Sequence, residues 1–153
     1  MTFATANSFV VFPIGRKRFA LPSALVSELA QPDRPQLFPH TTPLLVGVLV
    51  RRGRIVPVCD VAQVLVGPDA AARKFYLIAR RKPAPDPELI ALPVTGECEL
   101  VTADMLPHDQ LASDYVIGNI DVQDQKIEVV DLEKIMNSRE AQARTAHATE
   151  VLA

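Results

Sequence analysis

At 153 residues, 48% of them apolar, the chain is the size of one domain or two very small ones and too hydrophobic to be disordered. Its net charge of −2 removes any general attraction to nucleic acid, and no apolar run approaches the roughly 20 residues needed to cross a bilayer. The start, Met1 to Ser8, has neither the basic end nor the apolar core of a secretory signal, so the expected compartment is the cytoplasm, without membrane insertion.

Phe9 to Phe12 forms a first β run, Arg16-Lys17-Arg18 a polar turn, and Phe19 to Leu21 a second run. Pro22-Ser23 predicts a helical turn reaching Leu29, because proline suits early helix positions and serine caps. Gln31 to Pro43 is Pro-rich and reads as loop. Leu44 to Val50 and Arg54 to Val58 predict a strand pair around Arg51-Arg52-Gly53, and Asp60 an N-cap for a short helix, Val61 to Leu65. The pattern then recurs. Phe75 to Ala79 and Leu89 to Leu92 flank a basic, Pro-rich loop, and Thr102 to Leu111 reads as an irregular link. Tyr115 to Ile120 and Lys126 to Val130 pair across a polar turn, and Asp131 caps a helix with the apolar stripe Leu132, Ile135, Met136. Residues 137–153 form a tail expected to be helical and frayed, beyond a folded domain of residues 8–136.

The recurrence has a fixed offset of 71 residues. Ala20-Leu21-Pro22 returns as Ala91-Leu92-Pro93, Glu28-Leu29 as Glu99-Leu100, Gly47 as Gly118, Val58 as Val129 and Asp60 as Asp131. Short, evenly spaced strands in two similar halves predict a mainly-β protein of two small antiparallel barrels or a sandwich. A barrel of about 70 residues has little core of its own, so the halves are expected to share one hydrophobic seam.

Chemistry-bearing motifs are few. Cys59 and Cys98 have no C-x-x-C spacing and no histidine at ligand distance, and read as buried thiols. His40, His108 and His147 are far apart without nucleophile or ligand partners, and neither a P-loop nor a dinucleotide fingerprint is present. The Arg80-Arg81-Lys82 run lacks interleaved aromatics and reads as a loop cluster. A small enzyme built on Cys59 and Asp60, and a nucleic-acid-binding barrel, are the rival readings. The first lacks a general base and the second a basic balance.

Phe9-Val-Val-Phe-x-Ile-Gly-x-x-x-Phe-Ala-Leu-Pro22, Val26-Ser-Glu-Leu29, Gly47-Val-Leu-Val-Arg-Arg-Gly-Arg-Ile-Val-Pro-Val-Cys-Asp60, Tyr115-Val-Ile-Gly118 and Val130-Asp-Leu-Glu-Lys-Ile135 together resemble the CheW-like domain, from about Phe9 to Met136. The resemblance implies two SH3-like five-stranded β-barrels packed together, no catalytic activity and no cofactor. It implies an adaptor that couples the cytoplasmic tip of a transmembrane chemoreceptor to the regulatory domain of a CheA-type histidine kinase, at membrane-associated receptor arrays. Some members serve type IV pilus systems instead. Carried over residue by residue, it places Arg52 and Gly53 in the family's Asn-Leu-Arg-Gly motif, with Val50 and Arg51 as departures, and matches Glu28 to a glutamate of the first helical segment. Gly118 matches a glycine of the second barrel's receptor face. The expected receptor groove comprises Glu28, Gly47, Val48, Leu49, Val50, Arg51, Arg52, Gly53 and Gly118, with Glu28 pairing Arg52.

Overall fold

A computed structural model describes residues 7–30, 36–37, 45–67, 75–81, 88–107 and 113–136. Eleven strands dominate: β1 (Ser8–Ile14), β2 (Lys17–Pro22), β3 (Val26–Ala30), β4 (Gln36–Leu37), β5 (Leu45–Arg51), β6 (Arg54–Cys59), β7 (Phe75–Arg80), β8 (Leu89–Val94), β9 (Glu99–Thr102), β10 (Val116–Val122) and β11 (Gln125–Val130). Among the described residues two short α-helices, α1 (Ala62–Leu65) and α2 (Leu132–Met136), follow β6 and β11.

The strands form two sheets, ordered β10-β11-β2-β1-β9 and β3-β7-β8-β6-β5-β4. The mainly-β reading holds, and the short β4, inside the expected loop, adds a sixth strand to the second sheet by pairing with Val48 and Gly47. Each half lends its leading hairpin to the other half's sheet: β2 lies parallel to β11, and β8 parallel to β6. The 71-residue offset falls on these joints, Val129 facing Ala20 in one sheet and Val58 facing Ala91 in the other. The bounds of β5 and β6 become those of β10 and β11 under the same shift, and so do two ladder irregularities, Leu45/Gly47 and Val116/Gly118.

Each sheet curls around its own cluster. Leu49, Val56, Val58 and Ala91 pack with Ala30 and Ile78 in one; Ile120, Ile127, Val129 and Ala20 pack with Phe9 and Val11 in the other. A third cluster joins the halves, bringing Phe12, Leu21 and Phe19 together with Leu77, Leu92, Leu132 and Ile135. This is the expected seam, and it explains the exchanged hairpins: neither barrel can bury the outer side of its own hairpin without the other half.

Two local expectations change. The helical turn after Pro22 is a single 3₁₀ turn, Ser23–Leu25, and Val26 to Ala30 is strand, because ladder bonding to β7 prevails over the local helix signal. Thr102, expected to open the irregular link, instead ends the strand Glu99–Thr102, which pairs with β1. Asp131 accepts the Lys134 amide at 3.2 Å, as the expected cap should. The expected tail, residues 137–153, lies outside the described residues.

Candidate functional site

The β5–β6 hairpin ends in a two-residue turn, with Arg51 paired to Arg54 across it. Arg52 has φ +53° and Gly53 φ +76°, the left-handed pair that matches the twist of a tight hairpin. Glycine takes that conformation freely; for Arg52 it costs about 1 kcal/mol, which the flanking ladder supports.

Alternation along the pleat then sorts the side chains. Leu49 points inward and is 2% exposed, so Arg51, two residues on, lies on the same inward side at the mouth of the barrel. On β3, Ala30 is buried and Glu28 occupies the equivalent mouth position. Strands β3 and β5 are not ladder neighbours, so the Glu28–Arg51 contact bridges the barrel mouth. Arg51 Nη2 donates to Glu28 Oε1, and Arg52 Nη2 lies 3.3 Å from Glu28 Oε2. The Glu28 side chain is 20% exposed, that of Arg51 35% and that of Arg52 81%. The Arg51 hydrogen bond, with the charges of both arginines, holds the Glu28 carboxyl below its usual value against the opposing effect of burial.

The expected Glu28–Arg52 pair is therefore present but secondary, since the inward pleat position belongs to Arg51. Glu28 stands on a strand, not in a helical segment. Leu49 belongs to the barrel core and leaves the candidate surface. Gly47 marks the register shift of β5.

Gly118 sits at the equivalent shift in the other sheet, but its close approach is internal. A Cβ there would lie 2.5 Å from Met105 Cγ and 2.8 Å from the Leu106 carbonyl oxygen. Leu106 and Asn119 exchange backbone hydrogen bonds of 2.7 and 2.9 Å across this contact, so the chain itself covers the glycine, and it is corrected from a partner-facing to a packing position.

The outward side of the hairpin is apolar. Val50 is 64% exposed and Ile55, directly opposite it, 72%. Val48 and Pro57, the next outward pair, are half-buried, and Cys59, beyond Pro57, reaches the shared core. An apolar strip thus runs from the seam to the turn and ends beside Arg52. Sequence reasoning missed Ile55 and Pro57; the period-two alternation of Arg54 to Cys59 already set them opposite Val50 and Val48.

Burial pushes both Cys59 and Cys98 up to about 11, which keeps them protonated at neutral pH. Arg81 pairs with Glu133 at 3.1 Å and Glu88 at 3.7 Å, fastening α2 to the β7 end. Among the described residues no group of three His, Cys, Asp or Glu could hold a metal ion, and no helix is long and apolar enough to cross a membrane. The three histidines lie outside the described residues.

Comparison with solved structures finds, among fifteen matching chains, the scaffolding protein TtCheW from Thermoanaerobacter tengcongensis. It is 18% identical, with a TM-score of 0.73, and the match covers 90% of this chain and 92% of that one, so it speaks to the fold. Comparison with curated proteins returns no match. The family model described as the CheW-like domain matches residues 8–140, most of the chain, and this protein therefore belongs to the CheW-like family of chemotaxis scaffolds.

Proposed function

We propose that this protein is a non-catalytic adaptor that joins the cytoplasmic tip of a transmembrane chemoreceptor to a CheA-type histidine kinase. The receptor's helical tip lies on the Val48–Val50–Ile55–Pro57 strip, with Arg52 at its end, and a second surface of the barrels meets the kinase's regulatory domain. The observation that carries this reading is the exposed Val50–Ile55 pair beside an exposed guanidinium, on a hairpin fixed by its own core. A helix-in-groove contact needs such an apolar strip, anchored by a few residues. The role requires geometry alone. A rigid body that touches both receptor and kinase lets a small receptor displacement bias the kinase, and a coupling of about 1–3 kcal/mol is enough. The thiols, held near 11, support the absence of nucleophilic chemistry. The 71-residue correspondence supports one duplicated, intertwined domain over residues 8–136, working in the cytoplasm at receptor arrays.

Reconstitution tests the proposal. A receptor-tip fragment, a CheA-type kinase and this protein are combined, and kinase autophosphorylation is followed with and without each component. Receptor control of the kinase that appears only with this protein, and is lost with I55E, is the expected result. Control that is unaffected by leaving this protein out would end the coupling role. Binding to pilus-system receptors alone would redirect it to that pathway.

A further inference from the structure

We infer that Arg51 is the residue that holds Glu28, and that this leaves the Arg52 guanidinium to receive a carboxylate from the helical partner. The partner half of this inference deepens the coupling role proposed above and rests on it.

The assignment follows from position. Arg51 lies on the inward pleat, on the same side as Leu49 and across the mouth from Glu28, with its side chain 35% exposed. Arg52 lies at the top of the turn in the left-handed region, and its contact with the second Glu28 oxygen is the longer one, 3.3 Å, made by a side chain that is 81% exposed. One carboxylate thus meets two guanidinium groups and neutralises one unit of charge. The surplus sits at the outer end of the Val50–Ile55 pair, close to Arg54 at the start of β6.

The second barrel shows the alternative. At the position equivalent to Arg51 it carries Val122, packed against the barrel cluster. With an apolar residue like Val122 at position 51, Glu28 would have Arg52 as its only partner in the turn, and the guanidinium would be drawn over the mouth. Arg51 therefore acts as a specificity-determining residue without touching the partner. It changes Arg52 from an internal ligand into an outward one. The occupant that fits is an amphipathic helix with an acidic side chain next to apolar positions spaced i, i+3 or i+4. Its apolar residues would cover Val50 and Ile55 while the acid reaches Arg52 in a forked hydrogen bond.

Two measurements test this. In the first, the Glu28 carboxyl is titrated by NMR in the wild type, R51L and R52L. R51L is expected to raise its pKa more than R52L does; an equal or larger rise in R52L would overturn the assignment. In the second, binding is measured to a receptor-tip fragment and to the same fragment with its acidic side chains changed to amides. The wild type is expected to prefer the acidic fragment by about three- to fivefold, the range of an exposed ion pair. R52Q should erase that preference, and R51L should reduce it by recalling Arg52 to Glu28. A preference unchanged in R51L, or equal losses on both fragments in R52Q, would overturn the partner half. A wild type that binds neither fragment would overturn the coupling role and the partner half with it, while the Glu28 titration still decides on Arg51 separately.

Discussion

The β5–β6 and β10–β11 hairpins are the same frame carrying different chemistry. The turn residues Arg52 and Gly53, at φ +53° and +76°, correspond to Gln123 and Asp124, at +52° and +65°. Glu28 lies opposite Ile78 and Glu99 opposite Val11, and those two partners face the equivalent alanines Ala91 and Ala20. Yet the outward positions Val48, Val50, Ile55 and Pro57 become Asn119, Asp121, Lys126 and Glu128, and the mouth residue Arg51 becomes Val122. Asn119 is covered by the chain's own Leu106 segment, and Asp121 faces Lys126 across the ladder, a pairing suited to water. The backbone is thus indifferent to which barrel offers an apolar strip. Five side chains give the first hairpin an exposed apolar strip and the second a polar outer side, with Asn119 buried under the Leu106 segment.

The comparison predicts first that the interiors, unlike the exteriors, respond alike. L49A and I120A delete equivalent side chains from the two barrel clusters. Each should lower unfolding free energy by about 2–4 kcal/mol, read by chemical denaturation. Because the third cluster joins the halves, each variant should still unfold in a single transition. Two separated transitions would show that the barrels are independent and that the seam couples them weakly.

Exteriors should respond in opposite ways. I55E and K126E both place a carboxylate at the same frame position, on exposed sites in each case. I55E should change stability by no more than about 0.5 kcal/mol, and K126E, which sets a second carboxylate opposite Asp121, should cost up to about 1 kcal/mol. Receptor-tip binding should fall by about 1–2 kcal/mol in I55E, as for an interface anchor, and stay level in K126E. Equal losses would mean that the strip around Val50 is not the distinguishing surface.

How much of this was legible in the sequence depends on the range over which each signal acts. The alternation of Leu45 to Arg51 and Arg54 to Cys59, with the offset that carries both onto Val116 to Val130, is local, and the strands fell where it put them. Exchange of hairpins between sheets is not local: nothing in Phe19 or Ala20 states that their parallel neighbour is β11, and only the shared cluster around Phe12 and Leu132 explains it. At the site, Arg52, Glu28 and Val50 were legible as a set. The roles within the set were not, because they depend on which side of the pleat faces the mouth. Counting from the buried Leu49 would have put Arg51 inward and exposed Ile55. Gly118 was misplaced for a related reason. Its glycine requirement is real, but Met105 and Leu106 impose it from a segment whose strand-like pairing to Asn119 has no periodic signature.

A smaller effect concerns acid. The Glu28 carboxyl has a pKa below its usual value when folded, so the ionised form is preferentially stabilised by the native structure. That contribution is complete above the ordinary carboxylate range and is lost as pH falls through the lowered value. R51L removes the leading cause. The wild type should therefore lose its advantage over R51L as the pH drops through and below about 4, seen as converging denaturation midpoints. Midpoints that stay parallel to low pH would place the stabilising role of Arg51 in its packing and not in its charge.

The smallest predicted effect lies in the second turn. Asp124 holds φ +65° where the first hairpin uses glycine. A side chain in that region is strained, although aspartate tolerates it better than most residues. D124G removes the strain but frees the unfolded chain, and the two effects oppose each other. G53A in the first hairpin has no such balance. A Cβ there meets nothing within 4 Å, so its whole penalty is conformational, about 1 kcal/mol. D124G should then change stability by less than G53A does, and with the opposite sign or none. If D124G destabilised the protein as much as G53A, Asp124 would be making a contact that the shared frame does not require, and the two turns would differ in structure as well as in charge.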